Sequence, residues 1–227
     1  MKKESFDILA NFFKDAIACD NPSIGTMPVK SIIDYLTRIT VVESINEKIG
    51  KLNVWDFVES DKTLTHSMVY YKDGFLSATN RRMLLHIKRE YSPELEGRCV
   101  KKDGTVVSRC MMGVKETISA VDAIHKESGK KIKIDFDKFE KVSKECKAYR
   151  KMSRNTIRPI VSMKGGAVHF YYDELVPAIQ FMKDMGIDEM SIVPNKNTSC
   201  MIVKDDNVCL LMPVMGDFRQ MTSVFEM

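Results

Sequence analysis

The sequence lacks the features that mark membrane-spanning and exported proteins. No apolar run in its 227 residues approaches the ~18–20 residues needed to cross a bilayer. The amino terminus, Met1 to Asp7, is rich in charge and has no apolar core of a signal peptide. We therefore expect a cytoplasmic protein that does not associate with a membrane.

Motifs that hold phosphates, metals or activated nucleophiles are also missing. The chain has no Gly-rich phosphate loop, nucleophile elbow, His-Glu-x-x-His motif or EF-hand loop. Its four histidines are scattered, and its acidic pairs stand in predicted turns, where solvated carboxylates do not form the partly buried pair that acid–base catalysis needs. These absences argue against an enzyme, and we expect no metal and no cofactor.

The six cysteines, at positions 19, 99, 110, 146, 200 and 209, include no Cys-x-x-Cys pair and no zinc-ligand spacing with histidine. In a cytoplasmic chain we expect such cysteines to be reduced and mostly core-filling. The sixteen methionines have two interpretations, flexible core filling or an adaptable binding groove.

Positive charge is concentrated in one stretch, although the formal net charge is only +4. Twelve basic and only four acidic residues lie between Lys130 and Lys164, so this stretch is strongly basic and the remainder is mildly acidic. Such a basic zone on an acidic body is typical of a polyanion-binding face.

Residues 135–151 give the clearest helical pattern of this basic stretch. At 100° per residue, an apolar side that includes Phe139 and Cys146 lies opposite a lysine side. Lysine contacts phosphate without reading sequence, and because no aromatic residue interleaves the lysines, tracking of a duplex backbone is favoured over base stacking. A solvated helix surface is the alternative. The candidate DNA-binding residues of this region are Lys138, Lys141, Lys144, Lys147, Arg150, Lys151 and Arg154. Arg81 and Arg82, in the turn beside Asn80, are further candidates or ordinary surface charges.

Hydrophobic periodicity and turn residues predict further helices and antiparallel hairpins along the chain. The predicted helices are 5–18, 28–48, 135–151 and 173–185, with a short helix possible in 113–128. The predicted strands are 66–71, 75–88 with a tight connection at Asn80–Arg82, a hairpin around Asp103–Gly104, 157–163, 167–171, 190–193, 201–204 and 206–215. This order indicates an α+β fold with helices on one face of antiparallel sheets. Ser128 to Lys131 is the best candidate for a linker, which predicts one module at 1–131 and a second at 132–227.

Two segments resemble bacterial DNA sliding clamps, the beta subunit of DNA polymerase III. Within Met68–Ile87, Ala78-Thr-Asn-Arg-Arg82 is similar to a hairpin core of that family, Ala-Thr-Asp followed by a basic residue. The strand–helix–strand order of residues 168–215, with the final run Cys209-Leu-Leu-Met-Pro-Val-Met215, is similar to the end of a clamp domain. In clamps, antiparallel sheets form the outside of a ring, and basic helices line the hole around duplex DNA.

The resemblance implies a sliding clamp, or polymerase processivity factor, built from clamp-like modules. Its implied partners are double-stranded DNA bound without sequence preference, a DNA polymerase, other proteins with clamp-binding peptides, and a clamp loader. Two modules per chain favour a homotrimer, with a dimer as the alternative. The implied peptide-binding residues are Met212, Pro213, Val214 and Met215, which match the family's Met-Pro-Met-Arg-type run except at the last two positions.

Other interpretations remain open. Leu210 to Met215 also fits a buried last strand, and Gln220 to Phe225 loosely resembles a clamp-binding peptide or a packed or disordered tail. A clamp-derived adaptor that binds peptides without encircling DNA is the main alternative function. A small enzyme or nuclease on an unrelated α+β fold is the third.

Overall fold

The computed structural model describes residues 50–59, 67–107, 113–154, 156–163, 168–194, 198–214 and 223–227. The helices predicted at 5–18 and 28–48 and the turn predicted at Gly165-Gly166 lie outside these residues. The described part is a mixed α+β structure of two sheets and three α-helices.

Nine strands form one antiparallel sheet, and three strands form a second sheet. In chain order the strands are β1 (Met68–Lys72), β2 (Phe75–Thr79), β3 (Met83–Lys88), β4 (Arg98–Lys101), β5 (Val106–Val107), β6 (Lys130–Lys133), β7 (Ile160–Met163), β8 (Val168–Tyr171), β9 (Glu189–Ile192), β10 (Cys200–Lys204), β11 (Asn207–Leu211) and β12 (Val224–Glu226). The large sheet has the order β5-β4-β1-β2-β3-β11-β10-β9-β6, and the small sheet has the order β12-β7-β8. The predicted hairpins are confirmed, but β12 pairs with β7 in parallel.

Local turn chemistry sets the β1–β2–β3 meander. Asp73 and Gly74 take positive φ values of 54° and 79° between β1 and β2, as an Asp-Gly turn allows. Between β2 and β3, the Asn80 side-chain oxygen accepts hydrogen bonds from the backbone N–H groups of Arg82 and Met83, at 3.0 and 2.7 Å. This asparagine turn explains the tight connection that the sequence predicts.

The three helices are α1 (Val114–Ser128), α2 (Phe136–Met152) and α3 (Tyr172–Met185). The ambiguous region 113–128 is therefore a helix of 15 residues. Helix α3 ends at Gly186, which takes a left-handed conformation with φ 66°, as predicted. Its apolar spacing predicts that Leu175, Val176, Ile179 and Met182 point inward; the structure buries three of them and exposes Val176.

Helices cover both faces of the large sheet, so the prediction of helices on one face is wrong for it. Val69 and Tyr71 of β1 belong to the main core with α3, whereas Met68 and Tyr70 pack in a second core with α1. Successive side chains of a strand point to opposite faces, and β1 buries four consecutive residues. Because both faces of this strand are apolar, each face must pack against other elements to be shielded from water.

Strand β6 lies where the sequence predicts a linker. Lys130 and Lys131 pair with Ile192 and Ser191 of β9, so the linker prediction is wrong at these positions. Ile132 is the one buried residue of the strand. Because the other three residues are lysines, the strand lacks the alternation of apolar and polar residues that would predict it from sequence. The division into modules 1–131 and 132–227 stays a prediction. Strands from both sides of it share the large sheet.

Helices α2 and α3 run antiparallel, side by side. Lys183 near the end of α3 donates to Glu140 near the start of α2 at 2.9 Å, and Arg150 near the end of α2 donates to Asp173 at the start of α3. No helix in the described part of the chain has the length and hydrophobicity that a bilayer crossing requires.

Three of the described cysteines, Cys146, Cys200 and Cys209, are free and buried, as expected. Cys99 is disulfide-bonded, so the expectation of reduced cysteines is wrong there.

Candidate DNA- and peptide-binding surfaces

Helix α2 presents the predicted lysine face. The Asp135 side chain caps the helix by accepting a hydrogen bond from the Lys138 backbone N–H at 2.9 Å. Phe139, Val142 and Cys146 are buried on the opposite side. The lysine side chains are exposed, and none is in an ion pair with another described residue; they are Lys138, Lys141, Lys144, Lys147 and Lys151.

The positive charge of this face is concentrated in its second half. Asp137 and Glu140 share the lysine side of the first turns, and Glu140 is already bound to Lys183. From Lys141 to the end of the helix, the exposed residues include four lysines and one acidic residue, Glu145, and exposed Arg154 follows the helix with a positive φ of 52°. A polyanion lying along α2 would therefore find most of its charged side-chain partners in the carboxy-terminal half.

Contacts to the rest of the fold hold α2 in place. Ser143 Oγ and Tyr172 Oη are 2.7 Å apart, and the rings of Tyr149 and Phe225 meet edge to face at 5.7 Å. Burial under the helix raises the pKa of the Cys146 thiol to about 12, because a thiolate would lose its hydration there. The lysine face is therefore presented by an anchored helix.

Three arginines converge on the first turn of α3. Arg82 Nε donates to both carboxylate oxygens of Glu174, at 2.8 and 2.9 Å, and Arg158 Nη2 donates to the same carboxylate at 2.9 Å. Arg150 donates to Asp173, and the Arg158 guanidinium lies 3.9 Å from the centre of the Tyr171 ring. Two acidic side chains thus tie together a turn of the large sheet, the end of α2 and the start of β7.

This network changes the interpretation of two predicted DNA-binding residues. Arg82 and Arg150 are each engaged with a carboxylate of α3. Their contact with phosphate stays a prediction, but it would compete with an existing ion pair. Asp173 and Glu174 were not singled out in the sequence, and Arg158 was noted only as part of the basic stretch, because only the fold shows that a helix start lies between two distant basic segments.

Arg81 and Arg82 lie beside a groove and share it with residues from the end of β11. The groove encloses about 310 Å³ between the β2–β3 turn, the start of α1 and β11. Its lining includes Thr79, Arg81, Arg82, Met83, Leu84, Gly113, Val114, Thr117, Ser199, Leu210 and Met212. The Met212 backbone N–H donates to the Arg82 carbonyl at 2.7 Å, which joins the two segments that carry the resemblance.

Of the three predicted peptide-binding residues that the structure describes, only Met212 lines this groove. Met212 is half-buried at its wall, whereas Pro213 is buried and absent from the lining. The Val214 backbone N–H donates to the His169 carbonyl of β8 at 2.7 Å, so the chain turns toward the small sheet at this point. Met215 lies outside the described residues.

Within the described ranges, no cluster of three or more His, Cys, Asp or Glu side chains has an arrangement that holds a metal ion. No protein-family model, curated protein or solved structure matches the chain. The features that bear on function are therefore the lysine face of α2, the groove at Met212 and the resemblance of the quoted segments to sliding clamps.

Proposed function

We propose that this chain is a DNA sliding clamp, or a clamp-like processivity factor, that encircles duplex DNA in the cytoplasm as a homo-oligomer. It tethers replication proteins and catalyses no reaction itself. The observation that carries the proposal is the lysine face of α2, which is exposed, free of ion pairs with described residues, and held by an anchored helix.

The lysines of this face are suited to binding duplex DNA in a way that lets the protein slide along it. Lysine is a hydrated point charge on a flexible stem, and its attraction to phosphate is independent of base sequence. Arginine forms bidentate, more localised contacts. Three candidate arginines, Arg81, Arg82 and Arg150, are each in an ion pair with a carboxylate, and the exposed positive charge along α2 is mostly lysine.

The arrangement of α2 and α3 is compatible with the ring architecture that the resemblance implies. The two helices lie antiparallel, and their buried sides pack toward the sheets. In a ring of such units, α2 faces the hole and the sheets form the outer wall. Helix α1, on the other face of the large sheet, then lies on the outside.

The groove beside Met212 is the proposed site for partner peptides. Leu84, Val114 and Leu210 give it apolar walls, and Arg81, whose Nε lies 3.7 Å from a Glu59 carboxylate oxygen, stands at the edge. An apolar groove with a few polar groups is the usual form of a peptide anchor site. The proposed occupants are segments of a DNA polymerase and of other replication proteins, with a clamp loader placing the ring on DNA.

A threading experiment tests encirclement without knowledge of the loader. The protein is mixed with linear duplex DNA that has biotin at both ends, and streptavidin is added before or after the protein. A ring threads onto free ends and, once the ends are blocked, stays on the DNA in a high-salt wash that removes purely ionic binders. Retention that does not depend on the order of addition, or no retention in either order, contradicts encirclement.

The clamp-derived adaptor stays a second candidate function, because phosphate contact by Arg82 and Arg150 would have to compete with their ion pairs to α3. An adaptor uses the groove but neither closes a ring nor remains on end-blocked DNA. Peptide binding by a monomer that fails the threading experiment would support this candidate.

A further inference from the structure

We propose that the groove between strand β7 and helix α2 is a second site for an extended peptide, and that the chain's own strand β12 occupies it in this structure. Val224, Phe225 and Glu226 pair in parallel with Ile160, Val161 and Ser162 of β7. The Ile160 N–H donates to the Ser223 carbonyl, and the Met227 N–H donates to the Ser162 carbonyl, both at 2.8 Å.

Side chains of the terminal segment fill the space between the strand and the helix. The Phe225 ring meets the Tyr149 ring of α2 edge to face, and Phe225 and Met227 are half-buried against the main core. Ser223 is buried, while Glu226 is exposed. The site therefore accepts a small residue, an aromatic residue two positions later and a polar residue facing solvent.

The contact has the form of strand addition to a sheet edge. Among the described strands, β8 pairs with one side of β7 and β12 pairs with the other. A strand edge without its neighbour presents unpaired N–H and C=O groups, which bind any extended backbone, while alternate side chains supply selectivity. β12 offers only three paired residues, so a segment of another protein with the same pattern can replace it.

The proposed partner is an extended segment of another protein with this Ser-x-aromatic pattern. Tyr149 lies on the side of α2 opposite the lysines, so a peptide bound there leaves the lysine face open. The site is also distinct from the groove at Met212. The inference does not depend on the proposed clamp function, because neither DNA nor ring closure enters the argument.

The test uses a fluorescent synthetic peptide with the sequence of residues 216–227, titrated onto three full-length proteins. In the unsubstituted chain the tethered β12 competes at a high effective concentration. Phe225→Ala weakens β12, so we expect this protein to bind the peptide at least about tenfold more tightly than the unsubstituted chain does. Glu226→Gln, at the exposed neighbour, should bind like the unsubstituted chain. A peptide with alanine in place of its phenylalanine should bind none of the three.

Amide hydrogen exchange at Ile160 to Ser162 locates the binding. We expect faster exchange in Phe225→Ala than in the unsubstituted chain, and slower exchange again when the peptide is added. Failure of the peptide to bind or to restore protection overturns the proposal, as does equal binding of both peptides. Unchanged exchange in Phe225→Ala overturns it too, because β12 would then not be replaceable. If Phe225→Ala loses cooperative unfolding, Phe225→Leu keeps most of the apolar volume and gives the same comparison.

Discussion

Arg82 and Glu174, 92 positions apart in the chain, form an ion pair in which Arg82 Nε lies 2.8 Å from Glu174 Oε1. The Glu174 side chain is only 5% exposed, and Arg158 binds the same carboxylate. The pair connects the turn beside the Met212 groove with the first turn of α3. This connection makes the arginine network a structural element, whatever else its arginines bind.

Glu174→Ala should lower the free energy of unfolding by about 2–3 kcal/mol, because it leaves the half-buried Arg82 guanidinium without its carboxylate and removes the nearer of the two carboxylates beside Arg158. Equilibrium unfolding in urea measures the change. Asp206→Ala is the control, because its ion pair with Lys88 spans 3.6 Å at the surface and should contribute less than about 1 kcal/mol. Equal losses in the two variants would contradict a structural role for the network.

Lys141→Glu combined with Lys144→Glu should weaken duplex binding and reduce its salt dependence. Each phosphate contact contributes about one unit to the slope of log K against log salt concentration, so losing two lysines lowers its magnitude by about two. Fluorescence anisotropy at several salt concentrations measures the slope. Lys72→Glu with Lys204→Glu makes the same change of charge at exposed ends of strands in the large sheet. If this control reduces the slope equally, binding reflects net charge and not the lysine face.

The lysine face of α2 was predictable because it depends on local periodicity, and a helix of 17 residues repeats its pattern several times. The role of Arg82 was not predictable in the same way. Its turn chemistry is local and was predicted, but its partner Glu174 lies on α3 and only the fold brings them together. The sequence of a turn with two arginines does not show whether those arginines bind phosphate or a buried carboxylate.

The position of strand β6 and the packing of helices on both faces of the large sheet also depend on contacts between distant parts of the chain. The predicted linker, Ser128 to Lys131, contains the first two residues of β6, and the pairing of this strand with β9 is a long-range contact that the local sequence does not show. Likewise, Met68 to Tyr71 signals a buried strand, but it does not show that α1 and α3 cover opposite faces. The groove at Met212 forms where the β2–β3 turn, the start of α1 and β11 meet. These segments are far apart in the chain, so the sequence alone does not show the groove.

Stability should fall as the pH is lowered below about 6.5, in part because of His86. Burial lowers the pKa of this imidazole, with the charge of Lys115 adding to the effect, while Nδ1 lies 2.8 Å from Ser77 Oγ. The unfolded chain therefore takes up a proton at a higher pH than the folded chain, so acid favours unfolding until the folded-state pKa is reached. His86→Gln should show a shallower fall in the free energy of unfolding over this range. An unchanged pH profile would contradict the assignment to His86.

Cys146 and Cys200 should resist alkylation in the folded protein. Burial raises the pKa of each thiol to about 12, so little thiolate exists near neutral pH and reagents cannot reach it. Mass spectrometry after treatment with iodoacetamide should find both unmodified in buffer and fully modified in denaturant. Rapid labelling of Cys146 in buffer would show that α2 leaves its core, which contradicts an anchored lysine face.

Light scattering over a range of protein concentrations tests the central claim, ring formation by several copies of the chain, most directly. The account predicts a stable assembly, with a trimer of the 26.0 kDa chain favoured and a dimer as the alternative. A monomer at every concentration would contradict it, and the lysine face would then belong to an open surface that cannot encircle DNA.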